Sequence, residues 1–125
     1  MVMSKAYEKF PQHRIEVDEE RVHVRVTHMG ELLAESTRAL NLHEGKYPVV
    51  VYIPREDVSM DRLQRTEEST HCPFKGDACY FACRNVEGTT PEVAWSYETP
   101  FDQMAVIRDH LAFYADRVEI ETISG

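Results

Sequence analysis

The stretch "RVHVRVTHMGELLAES", Arg21 to Ser36, decides the class of fold. Val22, Val24 and Val26 alternate with Arg21, His23, Arg25 and Thr27. That period of two places one apolar face on a core and one polar face in water, the pattern of a half-buried strand. Gly30 in "HMG" supplies the positive φ that a tight hairpin often needs, and "ELLAES" reads as the returning strand.

Working outward, "RALNLHE" (Arg38 to Glu44) alternates less cleanly and reads as a third strand. "PVVVYI", Pro48 to Ile53, is continuously apolar, which predicts a strand covered on both faces and stopped by Pro54. "REDVSMDRLQRTEEST", Arg55 to Thr70, is the most polar long segment. It reads as a solvent-exposed connection, with Ser59 capping one helical turn over Met60 to Leu63. "DACYFACR" and "EVAWSYE" are strands joined by the turn "VEGTTP". "TPFDQMAVIRDHL" reads as a helix over about 100–110. Thr99 is its N-cap, Pro100 its first residue and Asp102 near its positive end, with Phe101, Met104, Ile107 and Leu111 on one face. "AFYADRVEI" closes the chain in a strand-like segment in which Val118 and Ile120 alternate with charged residues. Its Asp116 and Arg117 read as a turn and a surface charge. About seven or eight short strands against one helix make a mainly β fold.

The chain has 125 residues, 42% of them hydrophobic and 29% charged. That is enough for one domain with a core of its own, spanning 1–125, with residues 1–12 as a loosely ordered arm. A net charge of −8 argues against nucleic-acid binding, which needs a basic footprint, but leaves room for a local basic pocket that holds a small anion. No apolar run approaches the roughly 20 residues that cross a bilayer, and the polar N-terminus lacks the apolar core of a secretory signal, so a cytoplasmic protein is expected. Three cysteines, an odd number, do not form a secreted disulfide framework. The sequence specifies no oligomeric state; a homodimer is compatible with it.

Four segments in order carry a family resemblance: "YIPREDV" (Tyr52 to Val58), "THCPFKGDACY" (Thr70 to Tyr80), "AWSYETP" (Ala94 to Pro100) and "LAFYADRVEI" (Leu111 to Ile120). Together they resemble the small bacterial and fungal family catalogued as domain of unknown function 427. The resemblance implies a compact β-rich domain without established activity, and a β-tent-like arrangement of two sheets meeting at an angle. The family sometimes carries a nucleotidyltransferase label. The residues speak against that chemistry, which needs carboxylates that hold divalent metal on a triphosphate and a Gly-Ser phosphate loop. Glu16 and Asp18, like Glu119 and Glu121, are spaced as on the outward face of a strand, and no Gly-Ser pair precedes either.

The richest segment is Thr70 to Phe81. In a strand, Cys79 and Cys83 share a face but lie about 13 Å apart, too far for one zinc or a disulfide. They read as small buried apolar groups beside Phe81. Zinc sites prefer C-x₂₋₄-C pairs, and β-tent domains that hold zinc do so through CxxC pairs. This chain has none, and its six histidines form no H-x₃-H pair, so neither metal nor cofactor is assigned. "CPFKGD" lacks a phosphate-loop pattern. The plainer reading of "HCPFKG" is a turn that Pro73 opens and Gly76 closes, with Lys75 toward solvent and Cys72 inward. The sharper one makes Cys72 a nucleophile whose pKa Lys75 lowers, with His28, His43 or His110 as base rather than the adjacent His71. Whether the protein is an enzyme stays open.

Tyr52, Tyr80, Trp95 and Tyr97 could form an aromatic wall for a flat ring or a cation, or could simply be core. Arg55 could clamp an anion with Asp57 orienting it, or pair with a surface carboxylate while Asp57 caps a turn. The leading expectation is a pocket for an anionic or aromatic small molecule, lined by these six residues with His71, Cys72 and Lys75. A non-catalytic protein-interaction domain and, less strongly, a metal-binding domain are the alternatives.

Overall fold

A computed structural model describes residues 3–18, 21–84 and 91–123. Nine antiparallel strands are present among them: β1 (Ile15–Val17), β2 (Val22–His28), β3 (Glu31–Glu44), β4 (Val50–Pro54), β5 (Leu63–Cys72), β6 (Gly76–Cys83), β7 (Glu92–Ser96), β8 (His110–Phe113) and β9 (Glu119–Thr122). They form one sheet in the order β5-β6-β7-β8-β4-β3-β2-β9, with β1 also on β3.

The mainly β class holds, with nine strands rather than seven or eight. β2 and β3 are joined through Met29 and Gly30, both at positive φ. That is the two-residue type I′ geometry that matches strand twist. "ELLAES" and "RALNLHE" are one strand of 14 residues. Between the pairs Val24↔Ser36 and Val22↔Ala39, β3 advances three residues while β2 advances two. The extra residue is a bulge, and it inverts the apolar alternation at Thr37–Arg38, so one strand reads as two.

The polar segment expected as a connection contains β5, an edge strand bonded only to β6. Beyond Leu63 it has little to bury, so it lacks the period-two signature. Met60–Arg62 does form a short 3₁₀ turn, although the Ser59 side chain does not cap it. The turn "VEGTTP" falls mostly outside the described residues.

The helix expected over 100–110 is not α-helical. Asp102–Ile107 is a 3₁₀ segment with a kink at Met104 and no capping side chain, Thr99 included. Phe101, Met104 and Ile107 are spaced by three, the 3₁₀ period. Its C-terminal end is held by a backbone bond that a continuing α-helix would break, Asp109 N–H to Tyr97 C=O at 3.2 Å, while Phe101 N–H, a donor unpaired at any helix start, bonds Lys75 C=O at 2.9 Å. The single α-helix among the described residues is α1 (Ala6–Lys9), near the N-terminus.

Alternation along the strands builds two apolar clusters. Val24, Val26, Leu33, Ile53, Phe81, Leu111 and Phe113 belong to the first. Leu40, Leu42, Tyr52, Tyr97, Met104 and Ile107 belong to the second, with Cys72, Tyr80 and Trp95 packed against it. Tyr52 and Ile53 therefore serve opposite faces of β4, as a strand covered on both sides requires.

Gly76 joins the turn to β6 at φ +120°, and a Cβ there would stand 3.3 Å from Pro100 Cα and 3.4 Å from Thr99 C=O. Gly76→Ala is expected to cost about 1–3 kcal/mol from the backbone conformation alone, read as a lower urea midpoint. Gly45→Ala, at φ +52° with open space around it, gives the milder cost of a left-handed residue without crowding. Equal losses at the two sites would refute the crowding at Pro100.

Candidate functional site

The second apolar cluster does not close on itself. Strands β3, β4, β6, β7 and β8 leave a cavity of about 570 Å³ lined by Tyr52, Lys75, Tyr80, Trp95, Tyr97 and Tyr114, with Glu44 on its wall and Tyr47 and Val49 at its mouth. Strand spacing explains the convergence. Tyr80 and Trp95 are cross-strand partners, as are Trp95 and Ala112, and Ala112 and Tyr52. Three aromatic side chains thus project from adjacent strands, and the small Ala112 between them leaves the space.

Polar groups within this wall are sparse. The Trp95 Nε1–H donates to the Tyr52 hydroxyl at 3.3 Å, and the Tyr80 and Thr70 hydroxyls are 2.7 Å apart. The Trp95 and Tyr114 rings meet at 4.7 Å between centroids. The Tyr97 hydroxyl has no hydrogen-bond partner among the described residues, although the residue is only 7% exposed. Tyr52, 2% exposed, accepts from Trp95 while its own O–H has no acceptor there. Burial pushes both phenols far up, with a partial offset at Tyr52 from the Trp95 bond. Both are therefore neutral donors at any physiological pH.

Lys75 is not directed to solvent. It is 8% exposed, and its Nζ donates to Glu44 Oε1 at 2.5 Å. Glu44 also holds His13 Nε2 at 2.8 Å through its other oxygen. Burial works to raise the Glu44 carboxyl, but Lys75 and then His13 outweigh it and hold the group below the usual carboxylate range. The turn carrying Lys75 is clamped by the N-terminal segment. Ser4 Oγ donates to Pro73 C=O, Tyr7 Oη donates to Phe74 C=O at 2.8 Å, and His13 stacks on Phe74 at 3.9 Å. Burial, with Cys72 and Glu44 nearby, pushes Tyr7 up to about 12. These clamping residues sit in a segment without apolar periodicity, and only their contacts with Pro73 and Phe74 single them out.

The structure brings together Tyr52, Lys75, Tyr80, Trp95 and Tyr97, and separates the other candidates from them. Arg55 donates to Glu98 at 2.8 Å and lies over the Phe81 ring at 5.5 Å. Asp57 is bound by Ser36 and Arg38, at 2.6 and 3.1 Å. Asp57 therefore does not orient Arg55, which has the surface carboxylate of the plainer reading. His71 pairs with Asp77 at 2.8 Å and faces a different cavity. Cys72 is half-buried behind the wall, and no hydrogen bond joins it to a histidine among the described residues. His28 sits 3.4 Å from Cys83, His43 3.0 Å from Asp18, and His110 bonds Arg108 C=O. Burial raises the thiols of Cys79 and Cys83, with Glu98 and Glu31 adding to it, so both are protonated packing groups.

Among the described residues, no three His, Cys, Asp or Glu side chains gather to hold a metal ion. None of their helices is long and apolar enough to cross a membrane. Of the known families, one described as "Domain of unknown function (DUF427)" matches residues 16–124. No curated protein matches the chain.

Proposed function

We propose that this chain, which belongs to the DUF427 family, is a cytoplasmic small-molecule-binding domain. Its ligand is a flat, uncharged ring that carries a hydrogen-bond acceptor, held in the cavity between Tyr52, Tyr80, Trp95 and Tyr97. The observation that carries this reading is the aromatic cavity of about 570 Å³, whose lining includes the Tyr52 and Tyr97 hydroxyls, both without acceptors among the described residues. Both hydroxyls are free to donate, and a ligand acceptor would take the place of water on them. Aromatic walls with few polar groups are the common make-up of small-molecule sites.

The anionic ligand expected for this pocket is not favoured, because the charge of Lys75 is already matched by Glu44. A catalytic role for Cys72 has no neighbouring base in its support. The β-tent-like arrangement fits the path of β3, which pairs with β2 along one half and with β1 and β4 along the other.

Trp95 is the one tryptophan of the chain, so its fluorescence reports on this cavity directly. Coumarin, a neutral fused ring with a carbonyl acceptor, is expected to quench it saturably. Tyr97→Phe is expected to weaken that binding about fivefold, the worth of one hydrogen bond. Linear quenching no stronger than that of free tryptophan in water would refute the reading.

A further inference from the structure

A second groove lies away from the central cavity, where the 3₁₀ segment and the N-terminal arm meet the edge of the sheet. It consists of two adjoining hollows of about 410 and 320 Å³ that share His71 and Phe101. The first is lined by Asp77, Pro100 and Arg108, the second by Lys5, Lys9 and Phe10. Its apolar surface is aromatic: Phe101 meets His71 edge-on at 6.0 Å, and Phe10 is 59% exposed.

Three cations without a carboxylate partner meet on this groove in a chain of net −8, although Arg14, Arg21, Lys46, Arg84 and Arg117 hold none elsewhere among the described residues. Arg25, Arg38, Arg55, Arg62 and Arg65 all hold carboxylates. Arg108, Lys5 and Lys9 hold none among the described residues, and Arg108 has no side-chain hydrogen bond or ring contact there either. The acidic group lining the groove, Asp77, is engaged by His71 Nδ1 at 2.8 Å. In that bond Nδ1–H donates to the carboxylate, so the neutral ring keeps a lone pair on Nε2 and offers the groove its aromatic surface rather than a donor. An acceptor anion there would meet the uncommitted guanidinium fork of Arg108, with two ammonium groups adding to the field.

We propose that this groove is a second binding site, for a small anion bearing an aromatic ring. The ring rests against Phe101 and His71, and the phosphate or carboxylate is held by Arg108. The site does not depend on the central cavity.

The probe is phenyl phosphate, followed by the imidazole resonances of His71 in the whole chain, with inorganic phosphate and benzyl alcohol as its separate halves. Phenyl phosphate is expected to shift His71 saturably and to bind about tenfold more tightly than inorganic phosphate, the worth of ring contacts. Arg108→Gln, at an exposed position where folding is not at stake, is expected to weaken it about tenfold, as loss of a charge-assisted bond does. Added salt weakens binding further. Trp95 emission stays unchanged throughout, which separates this site from the coumarin experiment. The proposal is overturned if His71 does not shift saturably, if Arg108→Gln binds as the parent does, or if inorganic phosphate binds as tightly as phenyl phosphate. A response of Trp95 without one of His71 also overturns it.

Discussion

Lys75→Met lowers the stability of the protein by about 2–4 kcal/mol, toward the lower end of what removal of one partner from a buried ion pair costs. Methionine keeps the length and apolar stem of the lysine, so the change isolates the charge. Glu44, with a side chain 17% exposed, is left with the His13 ring as its hydrogen-bond partner. The parent and the variant are to be compared by urea unfolding at neutral pH. A second variant, Lys75→Met with Glu44→Gln, removes both charges and is expected to recover more than half of the loss. A loss below about 1 kcal/mol would place the pair in the class of exposed salt bridges, against the burial described above.

Acid gives the same pair a second signature. The folded-state pKa of Glu44 lies below its unfolded value, because Lys75 and His13 outweigh burial. Its stabilising contribution is therefore complete above the unfolded carboxylate value, about 4.3, and disappears as pH falls through the lower folded value. In Lys75→Met, burial acts on Glu44 with less opposition, so protonation relieves the variant. The gap between parent and variant narrows on acidification. A gap that widens toward acid would contradict the assigned sign.

Ile107→Ala is the second large effect, about 2–4 kcal/mol, the usual cost of truncating a fully buried aliphatic side chain. Ile107 is 0% exposed within the second cluster, and its 3₁₀ segment has no capping side chain to compensate. The adjacent Val106 is 46% exposed, and Val106→Ala is expected to change stability by less than about 0.5 kcal/mol. Thermal or urea unfolding of both variants tests the orientation of the segment. Similar losses at the two positions would contradict the packing seen here. Since Ile107 and Tyr97 share the cluster beside the cavity, Ile107→Ala is also expected to weaken coumarin binding.

Much of the fold was legible because strand alternation is a local signal. The alternation of Val22 to Val26 shows which side faces the core, and the continuous apolar run Val50 to Ile53 shows a strand covered on both sides. Failures came where the physical cause is non-local. The bulge in β3 is visible only against β2. Strand β5 exists because β6 offers it a ladder, not because its residues favour one. The 101–111 segment has a sound helical N-terminus in sequence, but the backbone bond from Asp109 N–H to Tyr97 C=O stops an α-helix from continuing.

The site divides in the same way. That Tyr52, Tyr80, Trp95 and Tyr97 would stand on chosen strand faces followed from a period of two. That Arg55 and Asp57, two residues apart, would take different partners could not follow from spacing. By itself the sequence determined a mainly β domain, the inward direction of Cys79 and Cys83, and the family. Only the tertiary structure decided that Lys75 lies inside, since a lysine in a Pro-Gly turn belongs in water unless a distant carboxylate meets it. Glu44, thirty-one positions away along the chain, is that carboxylate, and the strand pairing brings it there.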